Sequence, residues 1–208
     1  MDITTTNNDF GRLPVAEEFY SVQGEGRNAG SAAYFVRLAG CDVRCTFCDS
    51  KATWDATKFP LVSVNDIAAR AADTPSRTVV ITGGEPLIHD LGPLCGELRS
   101  RGVKIWLETS GSHLLTGSYD WICVSPKTSR PPLDEVLSAA NELKVVVTDA
   151  TSFQFAEHCA GKVDKGCYLT LQAEWDNRCE AYPQIFDYVL KHPLWRISIQ
   201  THKILNIR

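Results

Sequence analysis

"AYFVRLAGCDVRCTFCDS", residues 33–50, opens as a strand and ends as a loop carrying Cys41, Cys45 and Cys48. The apolar run 33–40 stops at Gly40, and three thiols follow within eight positions. Downstream, short β-branched runs alternate with helical patterns. "SVNDIAARAAD" (63–73) reads as a helix with Ser63 as N-cap, and "RTVVITGG" (77–84) as a strand ending on glycines. "DLGPLCGELRSRG" (90–102) places Leu91, Leu94, Cys95 and Leu98 on one helical face and stops at Gly102.

The alternation continues to the last residues. "VKIWLETSG" (103–111) and "WICVSPK" (121–127) read as strands, and "PPLDEVLSAA" (131–140) as an amphipathic helix on Leu133, Val136, Leu137 and Ala140. Strands at 142–150, 166–175 and 195–205 are separated by helices at 152–160 and 182–192. Such alternation implies an α/β fold of right-handed βαβ units on a parallel sheet, with chemistry at the carboxyl ends of the strands. "CDS", "TGGEP", "ETSG", "SPK", "LQAEWD" and "QTHK" all follow apolar strands, so one shared site is expected at the mouth of a curved sheet.

Length and composition set limits. With 208 residues there is room for one substantial core. A complete eight-unit barrel takes about 250 residues, so a barrel here has to be shortened. Residues 14–208 read as a single domain behind a frayed polar tail at 1–13, whose sequence lacks the form of a secretory signal. The apolar runs are too short to cross a bilayer, and a net charge of −4 argues against a nucleic-acid partner. Eight cysteines of which only three cluster suit a reducing cytoplasm with thiols reserved for metal. Cys95, Cys123, Cys159, Cys167 and Cys179 are expected to be small core residues.

Three clustered thiols fit few chemistries. Structural zinc wants four ligands, a disulfide strands one thiol, and a nucleophile explains only one. Iron–sulfur clusters usually take four cysteinates, and a cluster held by three leaves one iron open for substrate chemistry.

The Cys-x3-Cys-x2-Cys spacing, with Phe47 before the third cysteine, resembles the radical S-adenosylmethionine enzymes. There the loop holds a [4Fe–4S] cluster whose open iron is chelated by the amino and carboxylate groups of S-adenosylmethionine. "TGGEP" matches the glycine-rich motif of that superfamily, whose bare backbone approaches the methionyl group. The resemblance implies cofactor binding by Thr82, Gly83, Gly84, Glu85, Glu108, Ser125, Lys127 and Gln172.

"FYSVQGEG" (19–26), "NELK" (141–144) and "QTHKILNIR" (200–208), taken with the other motifs, resemble the 7-carboxy-7-deazaguanine synthase family over nearly the whole chain. The fold this implies is a shortened, partly open β/α (TIM-like) barrel, and members are homodimers. The implied reaction is ring contraction of 6-carboxy-5,6,7,8-tetrahydropterin to 7-carboxy-7-deazaguanine with loss of ammonia, on the way to queuosine and related deazapurines. An external one-electron donor such as flavodoxin or ferredoxin starts it, and the cofactor radical does the chemistry with no further catalytic side chain. Magnesium is implied on Ser50, where relatives often carry threonine. Substrate contacts are implied for Gln23, Glu25, Gly26, Arg37, Thr82, His202 and Arg208. Arg37 is a charge in an apolar strand, and a ligand carboxylate is its expected partner. Two alternatives share part of the pattern: a glycyl-radical-activating enzyme, and a non-catalytic zinc-binding module.

Overall fold

Side chains alternate between two faces along each central strand, and that alternation builds both the core and the site. The computed structural model describes residues 11–207. Its strands are β1 (Arg12–Val22), β2 (Ala32–Leu38), β3 (Leu61–Ser63), β4 (Thr78–Gly83), β5 (Lys104–Thr109), β6 (Trp121–Val124), β7 (Glu142–Val147), β8 (Tyr168–Ala173) and β9 (Trp195–Ser198). The helices are α1 (Val64–Ala72), α2 (Gly92–Ser100), α3 (Asp134–Ser138), α4 (Thr151–Ala160), α5 (Arg178–Lys191) and α6 (Thr201–Leu205).

One nine-stranded sheet runs β3-β1-β2-β4-β5-β6-β7-β8-β9. From β2 to β9 every neighbour is parallel, the arrangement that βαβ alternation requires. β1 pairs antiparallel with both β2 and β3, so the sheet is mixed rather than wholly parallel. Val36, Leu38, Val79, Ile81, Ile105, Leu107, Leu143, Val145 and Leu171 face one way into a buried core with Ile67, Leu94, Leu98, Val136 and Ile185 of the helices. The residues between them, Phe35, Arg37, Val80, Thr82, Glu108, Lys144, Val146 and Gln172, face the opposite side and line a cavity. A one-residue slip in any strand would exchange those faces.

β3 and β9 stand at the ends of the strand order, so no strand pair closes the sheet among the described residues. The loop after β1 spans the gap instead. Gly26 donates its amide to Ser198 Oγ at 2.9 Å, and the Arg27 amide meets the Glu142 carboxylate at 3.1 and 3.2 Å. Thr201 donates its amide to the Gly24 carbonyl at 2.9 Å. The result is the shortened, partly open barrel expected from the sequence.

Three local expectations change. The strand anticipated over 195–205 ends at Ser198, and Thr201–Leu205 is a helical turn closed by Asn206 in the left-handed region (φ 52°). Thr201 turns away to Gly24, which removes it from the strand ladder. The boundary anticipated between 13 and 14 moves: Arg12 and Leu13 already belong to β1, paired with Ser63 and Val62, and Leu13 is buried. Residues 1–10 lie outside the described part. Of the five scattered cysteines, Cys95, Cys123 and Cys159 are buried, Cys167 is half-buried, and Cys179 is exposed on the first turn of α5.

Candidate active site

The cavity occupies about 430 Å³ at the carboxyl ends of the strands and is lined by the loops that follow them. Cys41, Cys45 and Cys48 reach it from the loop after β2. That loop is braced where it begins: Gly40 and Cys41 donate their amides to the Thr53 and Trp54 carbonyls at 2.7 and 3.1 Å, and His89 Nε2 meets the Ala39 carbonyl at 2.8 Å. Asp42 is held by His113 at 3.0 Å and by Arg130 at 3.2 Å. His89 and His113 thus support the loop without entering the cavity.

Cys45 and Cys48 lie within hydrogen-bonding reach. The Cys45 thiol, donating to Cys48, holds the Cys48 pKa down at about 6 against the opposing effect of burial, while Cys45 is pushed up. Burial raises Cys41 as well. Three half-buried thiols on one loop, all facing one cavity, suit a soft, thiolate-bound metal centre, so these residues fit an iron–sulfur cluster with one open position.

"TGGEP" closes against this loop. Gly84 donates its amide to Leu38 O at 2.9 Å, and Glu85 donates its amide to Gly40 O at 2.9 Å. A Cβ on Gly83 would strike the Leu38 carbonyl; one on Gly84 would strike the Gly40 carbonyl and lie 2.7 Å from Cys41 Cβ. The glycines therefore let β4 approach the root of the cysteine loop, a reason distinct from exposure to a cofactor. Glu85 is almost fully buried, and its carboxylate accepts from Leu87 N, Thr109 Oγ1, Ser110 N and Ser110 Oγ at 2.6–3.0 Å. It pins "TGGEP" to "ETSG", which leaves Thr82 and the glycine backbone as the parts of this motif free to meet a ligand.

A ring of charged and amide side chains forms another wall. Lys144 Nζ, on β7, lies 2.6 Å from Glu25 Oε2 and 2.9 Å from Glu108 Oε2. Gln200 Nε2 donates to Glu25 Oε1 at 2.7 Å, Gln23 Nε2 donates to Glu108 Oε1 at 3.1 Å, and Gln23 Oε1 accepts the Glu25 amide at 3.2 Å. Burial alone would raise the Glu25 pKa, but the Lys144 charge with the Lys144 and Gln200 hydrogen bonds brings it down to about 2. Relative to its ordinary 4.5, this depressed pKa contributes stability above that value, which is lost as pH falls toward about 2. Burial would lower Lys144, yet Glu108 and Glu25 raise it well above its ordinary value, so the ammonium stays charged.

Lys127 Nζ donates to the Ser125 carbonyl and Oγ at 2.6 and 2.7 Å, and burial lowers its pKa. His202 is also lowered by burial, against the pull of Glu25. Its ring stands where a side chain on Gly24 would sit.

Of the residues singled out from the sequence, Gln23, Glu25, Arg37, Cys41, Cys45, Cys48, Ser50, Thr82, Gly83, Gly84, Glu85, Glu108, Ser125, Lys127, Gln172 and His202 all line this cavity. Two do not meet that description. Gly26 is off the wall: it turns the chain at φ 66° where a Cβ would strike the Glu142 carboxylate. Arg208 lies outside the described residues. Arg37 has a protein partner, its Nε donating to Glu17 Oε1 at 2.6 Å, so a ligand is not its sole counter-charge. Lys144, Gln200, Glu17 and Trp175 were not singled out. Lys144 could have been, since a lysine between Leu143 and Val145 invites the same search for a counter-charge that Arg37 did.

Comparison with known proteins agrees with this geometry. A family model described as the radical SAM superfamily matches residues 36–147, from β2 through β7. The chain is 46% identical over 195 residues to the 7-carboxy-7-deazaguanine synthase of Flavobacterium psychrophilum, covering 94% of this chain and 92% of that protein. It is 47% identical to the protein of that name from Synechocystis sp., covering 94% and 93%. The crystal structure of QueE from Escherichia coli superposes with a TM-score of 0.83 at 32% identity, covering 92% of this chain and 95% of that one. The radical SAM superfamily carries a [4Fe–4S] cluster and S-adenosylmethionine, and on these similarities the chain belongs to it and, within it, to the 7-carboxy-7-deazaguanine synthase family.

Proposed function

We propose that this chain converts 6-carboxy-5,6,7,8-tetrahydropterin to 7-carboxy-7-deazaguanine with loss of ammonia, in the route to queuosine and related deazapurines. The observation that carries the reading is one cavity shared by three thiols of a single loop and the ring of Gln23, Glu25, Lys144 and Glu108. A [4Fe–4S] cluster on Cys41, Cys45 and Cys48, with S-adenosylmethionine bound to it, supplies one-electron reduction and hydrogen-atom abstraction.

The chain's own residues bind and orient. Each Glu25 oxygen holds one hydrogen bond and keeps a lone pair for the N–H donors of an amidine-like pterin edge. Arg37 uses Nε on Glu17 and can turn its outer nitrogens to the substrate carboxylate. Phe19 and Phe35 stack with centroids 5.0 Å apart and, with Val80, give the cavity an apolar, water-excluding wall beside these polar groups. Lys127 and Ser125 suit the cofactor carboxylate, Glu108 suits ribose hydroxyls, and Gln172 and the glycine backbone of "TGGEP" complete that side. Ser50 Oγ lines the cavity with Asp49 Oδ1 at 3.0 Å, a hard-oxygen pair suited to magnesium, although Arg37 Nη1 at 3.5 Å opposes a cation there.

Anaerobic incubation of the cluster-loaded protein with reductant, S-adenosylmethionine and the carboxypterin is expected to give a deazapurine by mass without net consumption of S-adenosylmethionine. Removing magnesium is expected to slow the reaction. Absence of the deazapurine, or one S-adenosylmethionine spent per product, overturns the reading. The electron comes from an external one-electron donor such as flavodoxin or ferredoxin, as membership of the radical S-adenosylmethionine superfamily implies.

A cytoplasmic setting is supported by eight free cysteines, and no helix among the described residues is long and apolar enough to cross a membrane. A homodimer is supported by exposed Leu190 and Leu194 (69% and 78%) just before the free-edge strand β9, with Ile204 and Leu205 after it. Sedimentation at micromolar concentration should show a dimer that Leu190→Glu/Leu194→Glu dissociates. An unchanged dimer would place the interface elsewhere.

A further inference from the structure

We infer that Lys144 is a positioning residue that fixes Glu25 as the substrate-reading carboxylate, and so sets the requirement for a donor-rich ligand edge. The inference rests on the reading of Glu25 as a pterin contact. Lys144, on β7, is 6% exposed and bridges two carboxylates that stand three strands apart in the order, Glu25 after β1 and Glu108 on β5. The hydrogen bonds close into a ring, Glu25, Lys144, Glu108, Gln23 and back to the Glu25 amide, with Gln200 attached at the second Glu25 oxygen. Two carboxylates around one ammonium leave one net negative charge in the ring. That surplus faces the cavity and calls for a ligand presenting paired N–H donors.

Without the ammonium, two half-buried carboxylates would share one site with no cation between them, and one would take up a proton. The remaining ionisable groups around the ring do not replace it. Cys123 on β6 is pushed far up by burial and carries no charge, Lys127 bonds Ser125, and Glu142 of β7 is itself raised by burial. His202 of α6 has its pKa lowered by burial, so it is a weak counter-charge at neutral pH. A protonated Glu25 offers a donor where the substrate also offers donors, and binding is lost.

The test is equilibrium binding of the carboxypterin to wild type, Lys144→Met, Lys144→Gln and Lys144→Arg across pH 6 to 9. Cluster content and near-ultraviolet circular dichroism are measured alongside. Removing one partner of a buried, hydrogen-bonded charge pair is expected to weaken binding at pH 6 at least ~30-fold in the Met and Gln variants. The deficit should shrink as pH rises and the carboxylates ionise again, while Lys144→Arg stays within about 5-fold of wild type, because the charge is kept. A pH-independent deficit, no deficit, or loss of fold in both neutral variants overturns the positioning role. Failure of wild type itself to bind the pterin sinks the underlying function instead, so the two failures are distinguishable.

Discussion

Alanine at Cys41, Cys45 or Cys48 is expected to abolish turnover and the brown colour of the reconstituted protein, whereas Cys95→Ala keeps both. The difference follows from position. The three loop thiols line the cavity, and among the described residues no other cysteine does, so removing one leaves two thiolates for the cluster. Cys95 is 2% exposed on α2 and packed in the core among apolar side chains, away from the cavity wall. Its replacement removes one buried sulfur and costs about 1–2 kcal/mol of stability. Iron and sulfide content, turnover and thermal melting of the four variants check this. Retained turnover in any of the three loop variants would mean that the loop does not hold the cluster.

Gly84→Ala is expected to lose most of its iron and at least half of its turnover. The new methyl would meet the Gly40 carbonyl and sit 2.7 Å from Cys41 Cβ, with backbone on one side and a cluster ligand on the other. Neither neighbour can swing away as the end of a flexible side chain would. Relief has to come from separating β4 from the loop, which strains the Gly84–Leu38 and Glu85–Gly40 hydrogen bonds at a cost of about 1–3 kcal/mol. Iron content per chain after reconstitution decides between two accounts of this glycine. Full loading with weakened binding of S-adenosylmethionine would show that the bare backbone serves the cofactor and not the cysteine loop.

The sequence made the parallel half of the sheet legible because its strands alternate with helices and end in polar clusters. Runs such as "RTVVITGG" and "ELKVVVTDA" can bury one face in the core and still present Thr82 or Lys144 on the other. The antiparallel pairing of β1 with β3 was not legible, because Leu61–Ser63 is too short for a periodic signal and forms only against Arg12–Pro14. Ile197, Ile199 and Ile204 read as one long strand, whereas β9 ends at Ser198 and the chain bends at Thr201 to reach Gly24. Cavity membership was largely readable from the strand ends. Partnerships were not: Glu85 spends its carboxylate on Thr109 and Ser110, and Arg37 meets Glu17, contacts that depend on register across neighbouring strands.

The join between the loop after β1 and the segment 198–203 bears on how the molecule is made. Gln200 reaches Glu25 across 175 positions, and Thr201 and Ser198 bind Gly24 and Gly26. Contacts of such sequence separation carry the largest loop-closure cost and form late. During synthesis the cysteine loop leaves the ribosome some 150 residues ahead of its C-terminal neighbours. For that interval its thiols face solvent on an unfinished wall, open to oxidation or to the wrong metal. Protecting the nascent thiols, and delaying cluster delivery until residues 198–203 have docked, should therefore govern the yield of active protein as much as the stability of the finished fold.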